Sequence, residues 1–153
     1  MIKKIRKCFR NLFSPKKVER SSNKPEETTI SGVESKFELF TNVVGNFIFA
    51  LKIEGSEILR SNPYQTKQAA LKGISSVKTN STKGSSFQIR SSKDGKRYFV
   101  LRSGNNRVIG ISGMYKFLGE VHQEIMTVEE LASKSPVFEI KEGKSKKVKS
   151  TQL

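Results

Sequence analysis

Residues 37–80 read FELFTNVVGNFIFALKIEGSEILRSNPYQTKQAALKGISSVKTN, and residues 87–131 write the same plan a second time. With Phe87 set under Phe37, Ile89 falls under Leu39, Gly95 under Gly45, Phe99 under Phe49 and Leu101 under Leu51. The second copy carries one extra residue within Ser103–Asn106. The register then resumes 51 positions apart: Ile58 with Ile109, Ser61 with Ser112, Tyr64 with Tyr115, Ile74 with Ile125 and Val77 with Val128. Self-similarity at a fixed spacing marks a repeated supersecondary unit, so the fold is read from one copy and tested on the other.

In the first copy the apolar period is two. Phe37 and Leu39 share a side with Glu38 opposite, then Phe47, Phe49, Leu51 and Ile53 alternate, and Glu57–Ser61 gives a short third run. That alternation predicts three half-buried strands. Asn42–Asn46 and Glu54-Gly55-Ser56 supply the turns, with Gly45 at a position that favours positive φ. Pro63 stops the third strand and Thr66 is a candidate N-cap. Ala69, Ala70, Ile74 and Val77 then recur at helical spacing up to Asn80. Gly73 inside that helix predicts a close helix–sheet approach, because a glycine there costs about 1 kcal/mol against alanine. In the second copy Phe87–Arg90, Tyr98–Arg102 and Arg107–Ile111 are strands, and Asp94-Gly95 predicts a type I′ hairpin. The second helix lacks an N-cap, has Gly119 near its start and Glu124 where Gly73 stood, and Thr127–Glu130 resembles a capping box. A looser or rotated helix, broken near Thr127, is expected. Val137–Ile140 alternates, as an edge strand or a docked segment. The expected fold is α+β: two tandem βββα repeats, 36–82 and 86–140, with helices on one face of an antiparallel sheet.

The charge is unevenly spread. The formal net charge is +15, of which residues 1–24 hold nine Lys/Arg against one Glu (+8) and residues 141–153 five Lys against one Glu (+4). The 116 residues between carry 15 basic and 12 acidic side chains, so the body nets only +3. One cysteine, Cys8, excludes an internal disulfide and a multi-cysteine metal site. No apolar run approaches the ~18–20 residues a membrane-spanning helix needs. Residues 1–13 read as a short basic amphipathic helix, Ile2, Ile5, Phe9, Leu12 and Phe13 against Lys3, Lys4, Arg6, Lys7 and Arg10, with a disordered basic tail or a helix packed on the protein's own body as the alternatives to a surface-binding helix. Residues 14–35, with Lys16 and Lys17, read as a flexible linker, and 141–153 as a disordered lysine-rich tail.

Lys36–Phe40, Phe49-Ala50-Leu51-Lys52, Gly55, Ile58, Ser61, Tyr64 and the helix Lys67–Lys78 resemble the bacterial YegP-like family of uncharacterised proteins. Tyr98–Arg102, Val108-Ile109-Gly110 and Ser112–Tyr115 are similar to the same motif, with Glu120-Val121 and Glu124-Ile125 replacing its Ala-Ala and Gly-Ile helix positions. The likeness spans residues 36 to about 138. It implies tandem βββα architecture and no established activity, cofactor or catalytic residue.

Catalysis is not expected. The single histidine, His122, reads as a solvated helix residue, Asp94 as a turn residue, and the 13 glutamates show no paired spacing. No phosphate loop, zinc pair or nucleophile elbow is present. No cofactor, metal or small-molecule substrate is expected either. Binding is the expected function. Lys3, Lys4, Arg6, Lys7, Arg10, Lys16 and Lys17 are candidate contacts to an anionic surface, membrane lipid first and nucleic acid as the alternative. Tyr64, Tyr115, Arg97 and Arg102 are candidate partner contacts. Arg90, Lys93, Lys96, Arg97, Arg102 and Arg107, near Tyr98 and Phe99, read either as a solvated outer face or as a basic aromatic surface for single-stranded nucleic acid. A third reading is self-association, such as a homodimer, through sheet edges in a structural or stress-related protein. The expected location is cytoplasmic, peripheral to the membrane under the lipid reading.

Overall fold

Alternating apolar residues give strands that must bury one side, and the sheet forms wherever the copies can share that side. The computed structural model describes residues 32–141 and the backbone of Lys144–Lys147. The first repeat is β1 (Ser35–Thr41), β2 (Phe47–Ile53), β3 (Ser56–Arg60) and helix α1 (Lys67–Ser81). A short 3-10 turn, Gly84–Ser86, leads into β4 (Phe87–Ser91), β5 (Arg97–Arg102), β6 (Val108–Ser112) and helix α2 (Leu118–Leu131). Then come β7 (Val137–Lys141) and β8 (Lys144–Lys147). One sheet runs β4-β5-β6-β3-β2-β1-β7-β8. Its first seven strands are the two repeats and the segment after them; β8 adds to the outer edge of β7.

The repeats join through their third strands. Arg60 pairs with Ile111, its own equivalent 51 residues on, so the sheet has a pseudo-twofold axis between them. Two residues near that axis differ by design of size: Leu59 is fully buried, and its counterpart is Gly110. A Cβ on Gly110 would lie 2.6 Å from Leu59 Cδ2 and 2.7 Å from its Cγ. One side chain fills the volume that symmetry would assign to two.

Phe37, Leu39, Phe49, Leu51, Ile53, Phe99 and Leu101 form the buried sheet side, covered by Ala70, Ile74 and Val77 of α1 and Val121, Val128 and Leu131 of α2. Thr66 caps α1, its Oγ1 accepting from Ala69 N–H at 3.1 Å. Gly73 sits where expected: a Cβ would meet Tyr64 Oη at 2.5 Å and Phe49 Cε1 at 2.9 Å. Ser61 and Ser112, matched in the repeat, do matched work. The N–H of Phe49 donates to Ser61 Oγ at 3.0 Å, and that of Phe99 to Ser112 Oγ at 2.8 Å. Ser61→Ala leaves a buried N–H without its acceptor and is expected to cost about 1–3 kcal/mol in urea denaturation. A loss below about 0.5 kcal/mol would mean that water reaches the Phe49 amide.

Several expectations need correction. Glu54 and Gly55 both have positive φ (50° and 76°), so the type I′ hairpin lies between β2 and β3. At Lys93-Asp94-Gly95 only Gly95 has positive φ (79°), and Ser92 N–H donates to Lys96 O across a three-residue loop. Asp94 therefore sits in a type I turn closed by a glycine bulge. The residue inserted within Ser103–Asn106 does the same to the second copy's other hairpin, with Asn106 (φ 66°) at the left-handed position. Helix α2 neither breaks nor restarts at Thr127: Thr127 Oγ1 donates to Gln123 O within the helix. Its N-terminus is held from inside, the Glu120 carboxylate accepting from the N–H groups of Lys116 and Phe117 at 3.1 Å each.

Strand β7 is not a sheet edge. It lies between β1 and β8, parallel to β1, so the sheet is mostly rather than wholly antiparallel. The expected disordered tail contributes Lys144–Lys147 as β8, because β7 presents unpaired main-chain groups and lysine is compatible with an edge strand. Residues 33–35, assigned to the linker, are tied down instead, Glu34 N–H donating to Glu54 Oε1 at 2.8 Å. The expectations for residues 1–31, 142–143 and 148–153 fall outside the described residues.

Candidate functional site

Because both helices cover the same side of the sheet, the alternate residues of every strand form an opposite face that no helix among the described residues covers, although Ala50 and Val100 on it are buried. A single row crosses it: Gln88, Val100, Ile111, Arg60, Ala50, Glu38 and Phe138 are successive register partners. The halves of this face differ electrostatically. On the first repeat, Glu38 meets Lys52 Nζ at 2.5 Å and Lys36 Nζ at 3.5 Å, while Glu57 takes Arg60 at 2.6 and 2.8 Å. Every cation of β1–β3 thus has a carboxylate. On the second repeat the positions of Glu38 and Glu57 are Gln88 and Val108. Arg90 donates to Gln88 Oε1 at 3.1 and 3.3 Å, and Arg102 Nη1 to Asn106 Oδ1 at 2.7 Å. Neutral amides orient these guanidinium groups and leave their charge uncompensated. Tyr98, half-buried, stands beside Arg90 as its register partner.

The body's small net charge is therefore an average over segregated parts. Residues 35–61 hold three Lys/Arg and three Glu, net zero; residues 86–112 hold six Lys/Arg and one Asp, net +5. Helix α2 holds four Glu and no Lys or Arg, net −4, and α1 three Lys and no acid, net +3. The second repeat is basic on its strands and acidic on its helix. Counting charge element by element exposes this from the sequence; summing it over the whole body does not.

The candidate partner contacts do not converge. Tyr64 exchanges backbone hydrogen bonds with Phe47 (2.7 and 2.8 Å), and Tyr115 with Arg97 (2.8 and 2.7 Å). Since β2 and β5 run antiparallel, the two tyrosines lie at opposite ends of the sheet. Tyr64 stacks on Phe49 with centroids 6.0 Å apart. Burial raises its pKa, opposed by the charge of Arg107. Tyr115 is more deeply buried, and burial together with the nearby charge of Glu124 pushes its hydroxyl well above the usual phenol range. Arg97 shares the side of Phe99 and Leu101, at the sheet's end, whereas Arg102 is on the open face. Phe99 is fully buried and cannot contribute to a surface. Lys3, Lys4, Arg6, Lys7, Arg10, Lys16 and Lys17 lie outside the described residues. The edges that self-association would use are β4 and β8.

At the pseudo-twofold axis a shallow cleft of about 300 Å³ is lined by Glu57–Asn62 and Ile111–Gly113. Its charged groups, Glu57 and Arg60, are bonded to each other, so it presents no acid–base pair. His122 is exposed on α2. Among the described residues no three His, Cys, Asp or Glu side chains group to hold a metal, and no helix is long and apolar enough to cross a membrane.

A domain of unknown function, DUF1508, matches at residues 43–85 and again at 92–139, one copy for each repeat. The chain belongs to the UPF0339/DUF1508 family. Its match to a UPF0339 protein of Photorhabdus laumondii is 51% identical over 70 residues, covering 45% of this chain and 61% of that protein. It is 40% identical over 80 residues to the UPF0339 protein YegP of Escherichia coli, covering 52% of this chain and 73% of that one. The solution NMR structure of Escherichia coli YegP superposes with a TM-score of 0.66 at 33% identity, covering 69% of this chain and 92% of that one. A UPF0339 protein of Shewanella oneidensis gives the same TM-score at 32% identity. Both DUF1508 matches fall inside residues 43–139, so the strongly basic ends lie beyond the family's pattern.

Proposed function

We propose that this UPF0339/DUF1508 protein is a non-catalytic module that binds a phosphate-bearing polyanion, single-stranded nucleic acid foremost, on the open face of β4–β6. The observation that carries the reading is the loss of carboxylates from that half: Gln88 and Val108 stand where Glu38 and Glu57 neutralise the first repeat. Arg90 and Arg102 supply charge to track a backbone, and Tyr98 supplies a ring on which a base can stack. A sheet face suits an extended strand better than a small molecule, which needs a concave pocket. The basic extensions add long-range attraction, +8 and +4, that salt would screen.

Anisotropy of a labelled single-stranded oligonucleotide, titrated with the full chain at several salt concentrations, tests this. Arg90→Gln with Arg102→Gln is expected to weaken binding and flatten the log–log salt slope by about 1.4, roughly 0.7 for each cation removed. Tyr98→Ala is expected to cost about 1–3 kcal/mol of binding with the slope unchanged. If neither change matters, while neutralising Lys3, Lys4, Arg6, Lys7 and Arg10 abolishes capture by anionic phosphatidylserine vesicles, the protein is a lipid-surface binder acting through its N-terminus.

A further inference from the structure

Helix α2 carries an apolar stripe on its solvent side. Leu118 and Met126 are 46% and 45% exposed, and Phe117 and Met114, just before the helix, are 60% and 51% exposed. Leu118, His122 and Met126 follow one another every fourth residue and so lie along one side of the helix. The repeat does not require this. The matching residues of α1 are Lys67, Leu71 and Ser75, and those matching Phe117 and Met114 are Thr66 and Pro63. Glu129 and Glu130 continue the stripe one turn past Met126. Both are half-exposed, and among the described residues neither has a cationic partner. An apolar strip ending in two carboxylates, on a helix without Lys or Arg, fits a basic amphipathic partner.

We propose that the partner is this chain's own N-terminal stretch, residues 2–13, docked along the outer side of α2. Ile2, Ile5, Phe9, Leu12 and Phe13 meet the apolar strip, and the lysines and arginines between them meet Glu129 and Glu130. The chain path permits it. The Oγ of Ser135, just beyond α2, donates to Ser35 Oγ at 2.8 Å, and Phe37 N–H donates to Pro136 O at 2.7 Å. The described chain begins at Gly32, three residues before Ser35, so its start lies near the C-terminal end of α2. Residues 14–31 reach up to roughly 60 Å when extended, and a 14-residue helix is about 21 Å long. Of the other broad surfaces, β4–β6 and α1 are both basic, and on the face of β1–β3 the Glu38 and Glu57 carboxylates are already taken by Lys36, Lys52 and Arg60. Docking is independent of what the sheet face binds. It also withholds the basic stretch from any anionic surface until α2 gives it up, which makes α2 a built-in competitor of lipid or nucleic acid for that stretch.

Cys8, the single cysteine, lies within the docking stretch, so the full chain can carry a nitroxide there without substitution. The amide signals of Leu118–Met126 are expected to lose most of their intensity, while those of β4, at the far edge of the sheet, keep theirs. Glu129→Lys with Glu130→Lys is expected to restore the α2 signals, as is Leu118→Ser with Met126→Ser; the same spectra report whether each variant is folded. Undiminished α2 signals in the unsubstituted chain, or losses centred on another surface, would overturn the proposal. So would loss on α2 in an equal mixture of isotope-labelled chains and nitroxide-bearing unlabelled chains, which would assign the contact to a second copy.

Discussion

Gly110→Ala is expected to lower the unfolding free energy by about 1–3 kcal/mol, and most of that loss is expected to vanish in a chain that also carries Leu59→Ala. The reason is the geometry of the pseudo-twofold axis. Leu59 and Gly110 are equivalent residues, and the Leu59 side chain reaches into the volume in front of Gly110. A Cβ there would meet not only a terminal methyl but Leu59 Cγ, 2.7 Å away, which moves only with the whole side chain. Leu59 is fully buried, so a rotamer change has nowhere to go. Leu59→Ala alone is expected to cost about 2–5 kcal/mol, through lost burial and a residual cavity. In that background the Gly110 methyl enters empty space, so the double variant should be more stable than the sum of the two losses predicts. Urea denaturation of the four chains measures the coupling. Strict additivity would show that the strands separate at the axis and that the interface is not packed as described.

The sheet and first helix were legible because their causes are local. Phe37, Leu39, Phe49 and Leu51 alternate within a few residues of one another, Thr66 caps its own helix, and Gly73 announced the contact with Tyr64 and Phe49 that its missing side chain allows. What could not be read depends on distant partners. Nothing near Val137 says that it will pair in parallel with Phe37, 100 residues earlier, and nothing near Arg60 says that it will face Ile111. The continuity of α2 was missed for a subtler reason. Its cap is supplied by Glu120 from inside the helix, so the absence of Ser, Thr, Asp or Asn before Leu118 is uninformative. The candidate binding face was half legible. Arg90 and Arg102 stood out as cations, but their meaning lies in Gln88 and Val108, neutral residues that look unremarkable until set beside Glu38 and Glu57.

Alkaline unfolding should be led by Tyr115, and Tyr115→Phe is expected to remove much of it. Gly73, under Tyr64, becomes Glu124 in the second repeat; there Tyr115 is buried and close enough to Glu124 to feel its charge. Burial and that charge both oppose a phenolate, so the folded-state pKa lies above the unfolded-state value of about 10. A raised pKa contributes its full stability below pH 10 and loses it as pH rises from there towards the folded-state pKa. Across that window each pH unit costs about 1.4 kcal/mol for the one proton the unfolded chain gives up first. Tyr64 acts in the same direction but less, being only half-buried. Lys78 acts in the opposite direction and at lower pH: burial lowers its pKa, so its contribution to stability grows as pH rises from that lowered value to the unfolded-state value of about 10.4 and is level above it. Titrations of groups other than Tyr115 cancel in the difference between the two chains. Urea midpoints from about pH 8 to 12 should coincide at the lower end to within about 1 kcal/mol and diverge above pH 10, with the phenylalanine chain the more stable. Parallel curves would mean that Tyr115 ionises in the folded protein as readily as in the unfolded chain, and that Glu124 does not face it.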